Sequence, residues 1–249
     1  MSEDLAFWYS RYLQQAGWSL NARRFLFQKI SLPQSASILE AGSGTGAMLE
    51  SLRHDGYANL TGLDIDLDAL MFLPSPRSIC ADAHFLPFTE SNFDLCFCHF
   101  LLLWVKDPRR VLREMKRVTK KGGWVAALAE ADYTARVDKP ASLEALGRSQ
   151  SEALAEQGAD VGIGARLGEL FAAAGLNEVE TGVIAQEKPE LFTDETFELE
   201  WAVLRRDLAG RMPEGELQRY YDIDRMASIR GERALYVPIH FAFGRAAGT

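Results

Sequence analysis

The sequence is poor in the features that mark secreted or membrane-spanning proteins. Only three of its 249 residues are cysteine, and this odd number, set within apolar runs, indicates buried thiols in a reducing compartment. No stretch reaches the ~18 apolar residues of a membrane span. The acidic and aromatic start, MSEDLAFWYS, lacks the basic and apolar regions of a signal peptide. These absences predict a cytoplasmic protein with no membrane partner.

Positive charge is also scarce. The chain has 27 Lys and Arg against 35 Asp and Glu, a formal net charge of −8. Non-specific affinity for nucleic acid comes largely from basic contacts to phosphate, so this balance argues against a nucleic-acid partner. The basic residues from Arg109 to Lys121 are interleaved with apolar residues at helical spacing, which favours a solvated helix face over a phosphate-binding patch.

Metal-ligating residues are few and poorly grouped. Cys96, Cys98 and His99 are residue types that bind zinc, but no second group of ligands accompanies them in the sequence. The remaining histidines stand alone. We therefore expect no metal site and interpret the two cysteines as packing residues of a strand.

The order of apolar segments predicts an α/β fold. Strands are predicted at 37–40, 59–64, 78–81, 93–98, 124–130, 178–186 and 236–245. Helices are predicted at 47–55, 67–73, 107–122, 143–157, 167–174, 193–211 and 213–229, after two N-terminal helices within 5–30 that are separated at Gly17. Continuous apolar strands separated by helices indicate a mostly parallel seven-stranded sheet with helices on both faces.

The chain length and composition fit one domain, 1–249, with additions. We divide it into an N-terminal helical cap (1–32), a cofactor-binding core (33–186), a helical lid insertion (187–235) and a final strand (236–249). Aromatic residues of the lid either line a substrate pocket or hold the lid in place: Phe192, Phe197, Trp201, Tyr220 and Tyr221.

A glycine-rich loop lies between the first core strand and the next helix. Gly42, Ser43, Gly44 and Gly46 form a turn in which backbone N–H groups can approach a ligand closely. Asp64 ends the next strand 22 residues after Gly42, close to the ~20 at which an acid reaches a ribose hydroxyl. The loop is a candidate nucleotide site, although a purely structural turn has the same glycines.

Further segments resemble one family. Glu40 to Gly46 resembles the first motif, E-x-G-x-G-x-G, of class I S-adenosylmethionine-dependent methyltransferases. Four more segments within 38–130 are similar to that family's small-molecule, ubiquinone-biosynthesis type: Gly62 to Asp66, Cys80 to Ala83 with Leu86-Pro87-Phe88, Phe93 to Leu95 leading to His99, and Lys121 to Gly123. The resemblance implies a Rossmann-like fold and S-adenosylmethionine as cofactor.

The resemblance also implies roles for individual residues. Asp64, with Ile65 beside it, would hold the ribose, and Asp82 and Ala83 the adenine. Glu40 would balance the ammonium of the methionine part.

Other candidates come from position in the fold. Tyr12 and Arg11 of the cap precede the loop and could close over the methionine end of the cofactor. Ligands of such sheets bind beyond the carboxyl ends of the strands, which makes His99, Glu130 and Tyr133 candidate catalytic residues, His99 also contacting the cofactor.

The predicted activity is methyl transfer to a small molecule whose identity and attacking atom the sequence does not show. The N/D-P-P-Y/F motif of nucleic-acid amino-methyltransferases is absent after the fourth strand, where His99-Phe100-Leu101-Leu102 stands instead. Two alternatives remain open: an NAD(P)-dependent oxidoreductase and a non-catalytic S-adenosylmethionine-binding protein. The oligomeric state is unknown.

Overall fold

A seven-stranded sheet in the order β3-β2-β1-β4-β5-β9-β7 organises most of the chain. The computed structural model describes residues 3–72, 77–184 and 193–246. The strands of the sheet are β1 (Ile38–Ala41), β2 (Leu60–Asp64), β3 (Ser78–Cys80), β4 (Phe93–Cys98), β5 (Thr119–Ala131), β7 (Asn177–Val183) and β9 (Ile239–Arg245). The first five pair in parallel, and β7 pairs with β9 antiparallel. The predicted mostly parallel α/β sheet is confirmed.

Helices separate the strands along the chain. Their bounds are α1 (Glu3–Trp18), α2 (Leu20–Lys29), α3 (Ala47–His54), α4 (Leu67–Leu70), α5 (Pro108–Val118), α6 (Glu144–Glu156), α7 (Leu167–Ala173), α8 (Asp194–Asp207) and α9 (Glu214–Ile229). The N-terminal break comes at Ser19, two residues after the predicted Gly17.

The chain divides into two compact units. The first comprises Met1–Glu130, Ile163–Ile184 and Ile239–Thr249, and therefore contains the seven-stranded sheet except Ala131, the last residue of β5. The second comprises Ala131–Gly162 and Ala185–Pro238, and so takes in residues 131–162 besides the segment predicted as a lid. The lid role of 187–235 remains a prediction.

The second unit has its own core. Helices α6, α8 and α9 contribute buried aromatic and aliphatic side chains, among them Phe197, Trp201 and Tyr220. The Trp201 indole N–H donates to Asp224 Oδ2 at 2.8 Å, which satisfies a buried donor. In the part of this unit that the structure describes, the lid aromatics serve packing. Phe192 lies outside the described residues, as do the predicted helix end at Leu73 and strand end at Gln186.

Continuous apolar strands place the core of the first unit on both sides of its central strands. All four residues of β1 are buried, and so are five of the six in β4. Cys96 and Cys98 are fully buried, as expected for strand-packing thiols. Cys80 departs from the prediction, because it ends the β3 strand and is exposed.

Strand β5 begins earlier than predicted. Helix α5 ends at Val118, whereas Gly122 was predicted to end it, and Thr119 pairs with Phe93. The register shifts before Trp124 pairs with Leu95, and Gly122 adopts φ +80° within the shifted segment. The glycine therefore permits an irregularity inside the strand, which a sequence pattern alone does not distinguish from a helix terminator.

The predicted final strand, 236–245, is two strands. Ala234–Tyr236 (β8) pairs antiparallel with Val137–Lys139 (β6), and Ile239–Arg245 (β9) joins the main sheet. Pro238 separates them, consistent with a residue that has no N–H to donate to a ladder. The β6 strand was not predicted.

Candidate active site

The glycine loop connects β1 to α3 and is held by its backbone. Gly42, Gly44 and Gly46 adopt φ of +74°, +50° and +85°, conformations that other residues rarely adopt. The N–H groups of Gly42 and Ser43 both donate to the Leu63 carbonyl, at 2.7 and 2.9 Å. The loop is thereby tied to the end of β2.

The Asp64 carboxylate lies at this junction. Its Oδ2 accepts from the Gly44 N–H at 2.7 Å, and its Oδ1 accepts from the Asp66 N–H at 3.0 Å. Ile65, the next residue along, is 72% exposed. A half-buried carboxylate at the end of β2, beside an exposed apolar side chain, suits a ribose with a flat ring above it.

Glu40 is a buried carboxylate without a complete set of partners. It is 2% exposed, and its Oε2 has no hydrogen bond among the described residues, nor do the buried hydroxyls of Ser43 and Thr45. Burial, and next the charge of Asp64, raise the pKa of Glu40 well above its usual range, while Arg23 opposes the shift. Buried polar atoms are normally satisfied, so these orphaned groups indicate a place for a polar, cationic ligand.

Arg23 is a buried cation that the sequence analysis missed. It is 1% exposed; its Nη2 donates to Ser51 and Asp55 at 2.8 and 2.9 Å, while its Nε has no partner among the described residues. Its charge acts on both Glu40 and His99. The available signal was its spacing, since it lies three and four residues before the buried Leu26 and Phe27.

Asp82 and Ala83 follow β3, the neighbour of β2. Asp82 Oδ1 accepts from the His84 backbone N–H at 2.8 Å and bonds His84 Nδ1 at 2.6 Å. The backbone hydrogen bond is the main cause that lowers the pKa of Asp82, so the group stays an anionic acceptor. Its Oδ2 is left to a ligand, and Ala83 is buried beside it.

His84 links this segment to the start of α5. Its Nε2 accepts from the Asp107 N–H at 3.2 Å, and its carbonyl accepts from Arg110 Nε at 3.0 Å. Because Nε2 accepts, the ring proton is on Nδ1 and faces Asp82. The histidine interpreted as an isolated residue is thus a bridge between two segments.

Tyr12 lies against the glycine loop. Its Cε2 is 3.2 Å from the point that a Cβ on Gly44 would occupy, and burial, followed by the charge of Asp64, raises its pKa. Arg11 instead donates to Gln14 Oε1 at 2.5 Å and lies 4.6 Å from the Trp18 ring centroid. Of the two cap residues, the structure brings Tyr12 to the predicted site.

His99 follows β4 and is held by the cap. Its Nε2 is 3.0 Å from Ser19 Oγ, and Ser19 also donates to the Ala16 carbonyl at 3.2 Å. Burial and the charge of Arg23 lower the pKa of His99 to about 3. The imidazole is neutral at physiological pH. When Ser19 donates to Ala16, the histidine donates through Nε2 and keeps the lone pair on Nδ1.

Glu130 faces backbone amides. Its Oε1 accepts from the N–H groups of Leu101 and Leu102 at 3.0 and 2.7 Å, and its Oε2 accepts from Leu103 at 3.2 Å. The side chain is fully buried, and burial raises its pKa to about 8 against the effect of these bonds. With both oxygens occupied, the carboxylate holds the loop after β4 and is poorly placed to act as the base that its position in sequence predicted.

Leu101, whose N–H donates to Glu130, also contacts the glycine loop. A Cβ on Gly42 would come within 2.7 Å of Leu101 Cδ1, so the two loops are in close contact. Tyr133, the other catalytic candidate after β5, belongs to the second unit and begins a short 3-10 helix capped by Asp132.

Within residues 3–72, 77–184 and 193–246, no group of three or more His, Cys, Asp or Glu side chains is arranged to hold a metal ion. Over the same ranges, none of the helices has the length and apolar character needed to span a bilayer.

Comparison with known proteins matches residues 39–127 to a family described as the methyltransferase domain. The malonyl-[acyl-carrier protein] O-methyltransferase of Pseudescherichia vulneris is 33% identical over 105 residues, which cover 41% of this chain and 41% of that protein. The demethylmenaquinone methyltransferase of Renibacterium salmoninarum is 32% identical over 105 residues, 41% of this chain and 44% of that protein. The chain thus matches less than half the length of either relative.

A solved structure shows the same fold over more of the chain. The Haemonchus contortus phospholethanolamine N-methyltransferase 2, in complex with phosphomonomethylethanolamine and S-adenosylhomocysteine, superposes with a TM-score of 0.56 at 14% identity, covering 91% of this chain and 53% of that one. The family match, residues 39–127, lies within the segment that carries β1 to β5 and includes the glycine loop.

Proposed function

We propose that this chain, whose residues 39–127 match a family described as the methyltransferase domain, is a class I S-adenosylmethionine-dependent methyltransferase that transfers a methyl group to a small molecule. The observation that carries the proposal is the buried Glu40 carboxylate, whose Oε2 lacks a partner beside a loop of three glycines with positive φ. A buried anion in this state is stabilised by a cationic ligand. The α-ammonium of S-adenosylmethionine supplies that charge.

The described residues fit the remaining parts of the cofactor. Asp64 would accept from the ribose hydroxyls, Asp82 from the adenine amine, and the Ala83 N–H would donate to a ring nitrogen, as the family resemblance implies. Ile65 offers an exposed apolar surface to the adenine. Glu40, whose Oε2 is buried without a partner, would meet the amino-acid end. The NAD(P) alternative does not account for a buried carboxylate whose Oε2 has no hydrogen-bond partner.

The bound cofactor supplies an electrophilic methyl group on a sulfonium, and the protein need only align the acceptor and remove a proton where necessary. We assign proton acceptance to His99, whose neutral ring is oriented by Ser19. Its low pKa makes it a weak base, suited to an acceptor that is already acidic or ionised. Glu130 is a positioning residue in this scheme. Tyr133 stays a candidate because it follows β5 in sequence.

The chemistry of the acceptor is left open by this proposal. One relative is named for the malonyl group of an acyl carrier protein and another for demethylmenaquinone, so both are suitable members of an acceptor panel. The net charge of −8 disfavours a nucleic-acid substrate, and we expect the reaction to take place in the cytoplasm.

Calorimetry with S-adenosylmethionine, S-adenosylhomocysteine and NAD tests the cofactor. We expect both sulfur compounds to bind and NAD not to bind; tighter binding of NAD would support the oxidoreductase alternative. A labelled methyl donor offered with the acceptor panel then tests turnover. Binding without transfer to any member of a broad panel would favour the non-catalytic alternative.

A further inference from the structure

The basic residues around α5 fall into two groups, according to whether they make contacts within the chain. Three of them make internal contacts: Arg110 with the His84 carbonyl, Arg117 with Glu114 and two backbone carbonyls, and Lys120 with Asp94. Five others have no hydrogen bond or ion pair within the described part of the chain: Lys106, Arg109, Arg113, Lys116 and Lys121. We refer to the first four of these as the α5 stripe.

The two arginines of the stripe lie on the outer side of the helix, Lys116 is half-buried, and Lys106 precedes the helix. Val111, Leu112, Met115 and Val118 are the buried residues of α5, whereas Arg109 and Arg113 are exposed. Spacings of four and three residues put Arg109, Arg113 and Lys116 side by side on one face. Like charges at these spacings repel each other and slightly destabilise the helix. An anionic partner bound to this face would reduce the repulsion.

This concentration of charge contrasts with the rest of the protein. Residues 104–121 contain eight Lys and Arg and two acidic residues, in a chain with a net charge of −8. A nucleic acid would meet repulsion from the remaining surface, and its affinity depends on many phosphate contacts. A short row of carboxylates on an acidic protein complements the charge of the stripe and needs no contact with the rest of the surface.

The position of the stripe places a docked partner near the methyl-transfer site. Helix α5 follows β4 by nine residues, and the helix start therefore lies toward the carboxyl edge of the sheet, where ligands of this architecture bind. Trp104 and Phe85 are 46% and 60% exposed, and the Arg110 guanidinium lies 3.8 Å from the Phe85 ring centroid. Exposed aromatic and arginine side chains are the usual anchors of protein interfaces.

We propose that the α5 stripe docks an acidic carrier protein that presents the methyl acceptor as a tethered acyl group. This inference rests on the proposed methyl transfer and specifies how its substrate arrives. It changes the interpretation of the basic run: the solvated face favoured by the sequence is a surface with a partner.

The test measures binding of purified malonyl-acyl carrier protein to the full chain by biolayer interferometry at low and at physiological salt. We expect binding that weakens as salt rises. Arg109→Glu with Arg113→Glu should weaken it at least tenfold. The control is Arg53→Glu with Arg148→Glu, the same charge change at two exposed arginines of α3 and α6, and it should leave binding within about twofold.

Binding of S-adenosylhomocysteine is measured for every variant and separates the two proposals. Absence of that binding in the unmodified chain would refute the proposed function. Retained cofactor binding with no carrier binding, or equal loss in both double variants, would overturn the docking surface. Tighter binding of duplex DNA through the stripe would assign it to nucleic acid instead, and salt-sensitive self-association abolished by the Arg109 and Arg113 changes would assign it to a second copy of the chain.

Discussion

Replacing Glu40 by Gln removes the charge proposed to bind the cofactor ammonium while keeping the size of the side chain. A hydrogen bond to a charged group contributes about 1.5–3 kcal/mol, and each ~1.4 kcal/mol is a factor of ten in affinity. We therefore expect S-adenosylhomocysteine to bind Glu40→Gln roughly 10–150-fold more weakly. Because burial already disfavours the charged form of Glu40 in the free protein, a neutral Gln side chain should leave the variant at least as resistant to urea as the parent protein.

The pH dependence of binding provides a sharper readout than affinity alone. Burial raises the pKa of Glu40 in the free protein, and an adjacent ammonium favours the ionised form and lowers it. Binding should therefore release a proton from Glu40. Affinity should rise with pH up to the raised pKa of Glu40 and then level off, as long as the ligand ammonium keeps its own proton.

Calorimetry in two buffers of different ionisation enthalpy measures this proton release directly. The parent protein should show release, and Glu40→Gln should show much less. Glu90→Gln, at an exposed glutamate, is the matched control and should behave like the parent. The same affinity and the same proton release in a folded Glu40→Gln variant would refute the assignment of the ammonium to Glu40.

Three further predictions address the loop, the ribose site and the strand β5. Asp64→Ala should weaken S-adenosylhomocysteine binding by about 1.5–3 kcal/mol, and unchanged calorimetric affinity would remove this carboxylate from the site. Gly44→Val should abolish binding, because φ is +50° and the new Cβ would lie 3.2 Å from Tyr12. A folded variant that binds normally would show that the loop accommodates a branched side chain at this position. Since burial raises the pKa of Glu130 to about 8, the folded chain holds this proton more tightly than the unfolded chain. The free energy of unfolding should fall as pH rises from about 4.3 to about 8. In Glu130→Gln, which has no proton to lose at this position, that fall should be smaller by up to ~5 kcal/mol. Identical urea midpoints for both proteins across this range would contradict this assignment.

The parallel sheet could be predicted because its central strands are continuous apolar runs. The bounds of β4, Phe93–Cys98, match the prediction, and β1 and β2 differ from it by one residue. The early start of β5 could not be predicted. Its register shift depends on pairing with Phe93 and Leu95, which are distant in sequence, and long-range pairing overrides local propensity.

The parts of the site that need a particular residue type for their backbone conformation could be predicted. The environments of side chains that depend on tertiary packing were harder to predict. Three glycines with positive φ mark the loop. In the helical pattern, only the spacing to Leu26 and Phe27 distinguishes the buried Arg23 from the exposed Arg24. Position at a strand end likewise did not reveal that Glu130 would face the amides of its neighbouring loop, since that depends on how the loop after β4 folds back.

The bridge made by His84 has a thermodynamic consequence for the two surfaces it joins. Asp82 bonds one ring nitrogen and the Asp107 N–H bonds the other, so the adenine segment and the first turn of α5 share a single imidazole. An adenine amine bound at Asp82 Oδ2 would share the carboxylate with His84 and so alter the restraint on the start of α5, and a partner docked on α5 would alter the restraint on Asp82. Linkage requires the two effects to be equal in free energy. On the two proposals made above, cofactor and carrier would bind reciprocally, and substitution of His84 by Ala should uncouple their affinities while leaving each ligand its own contacts.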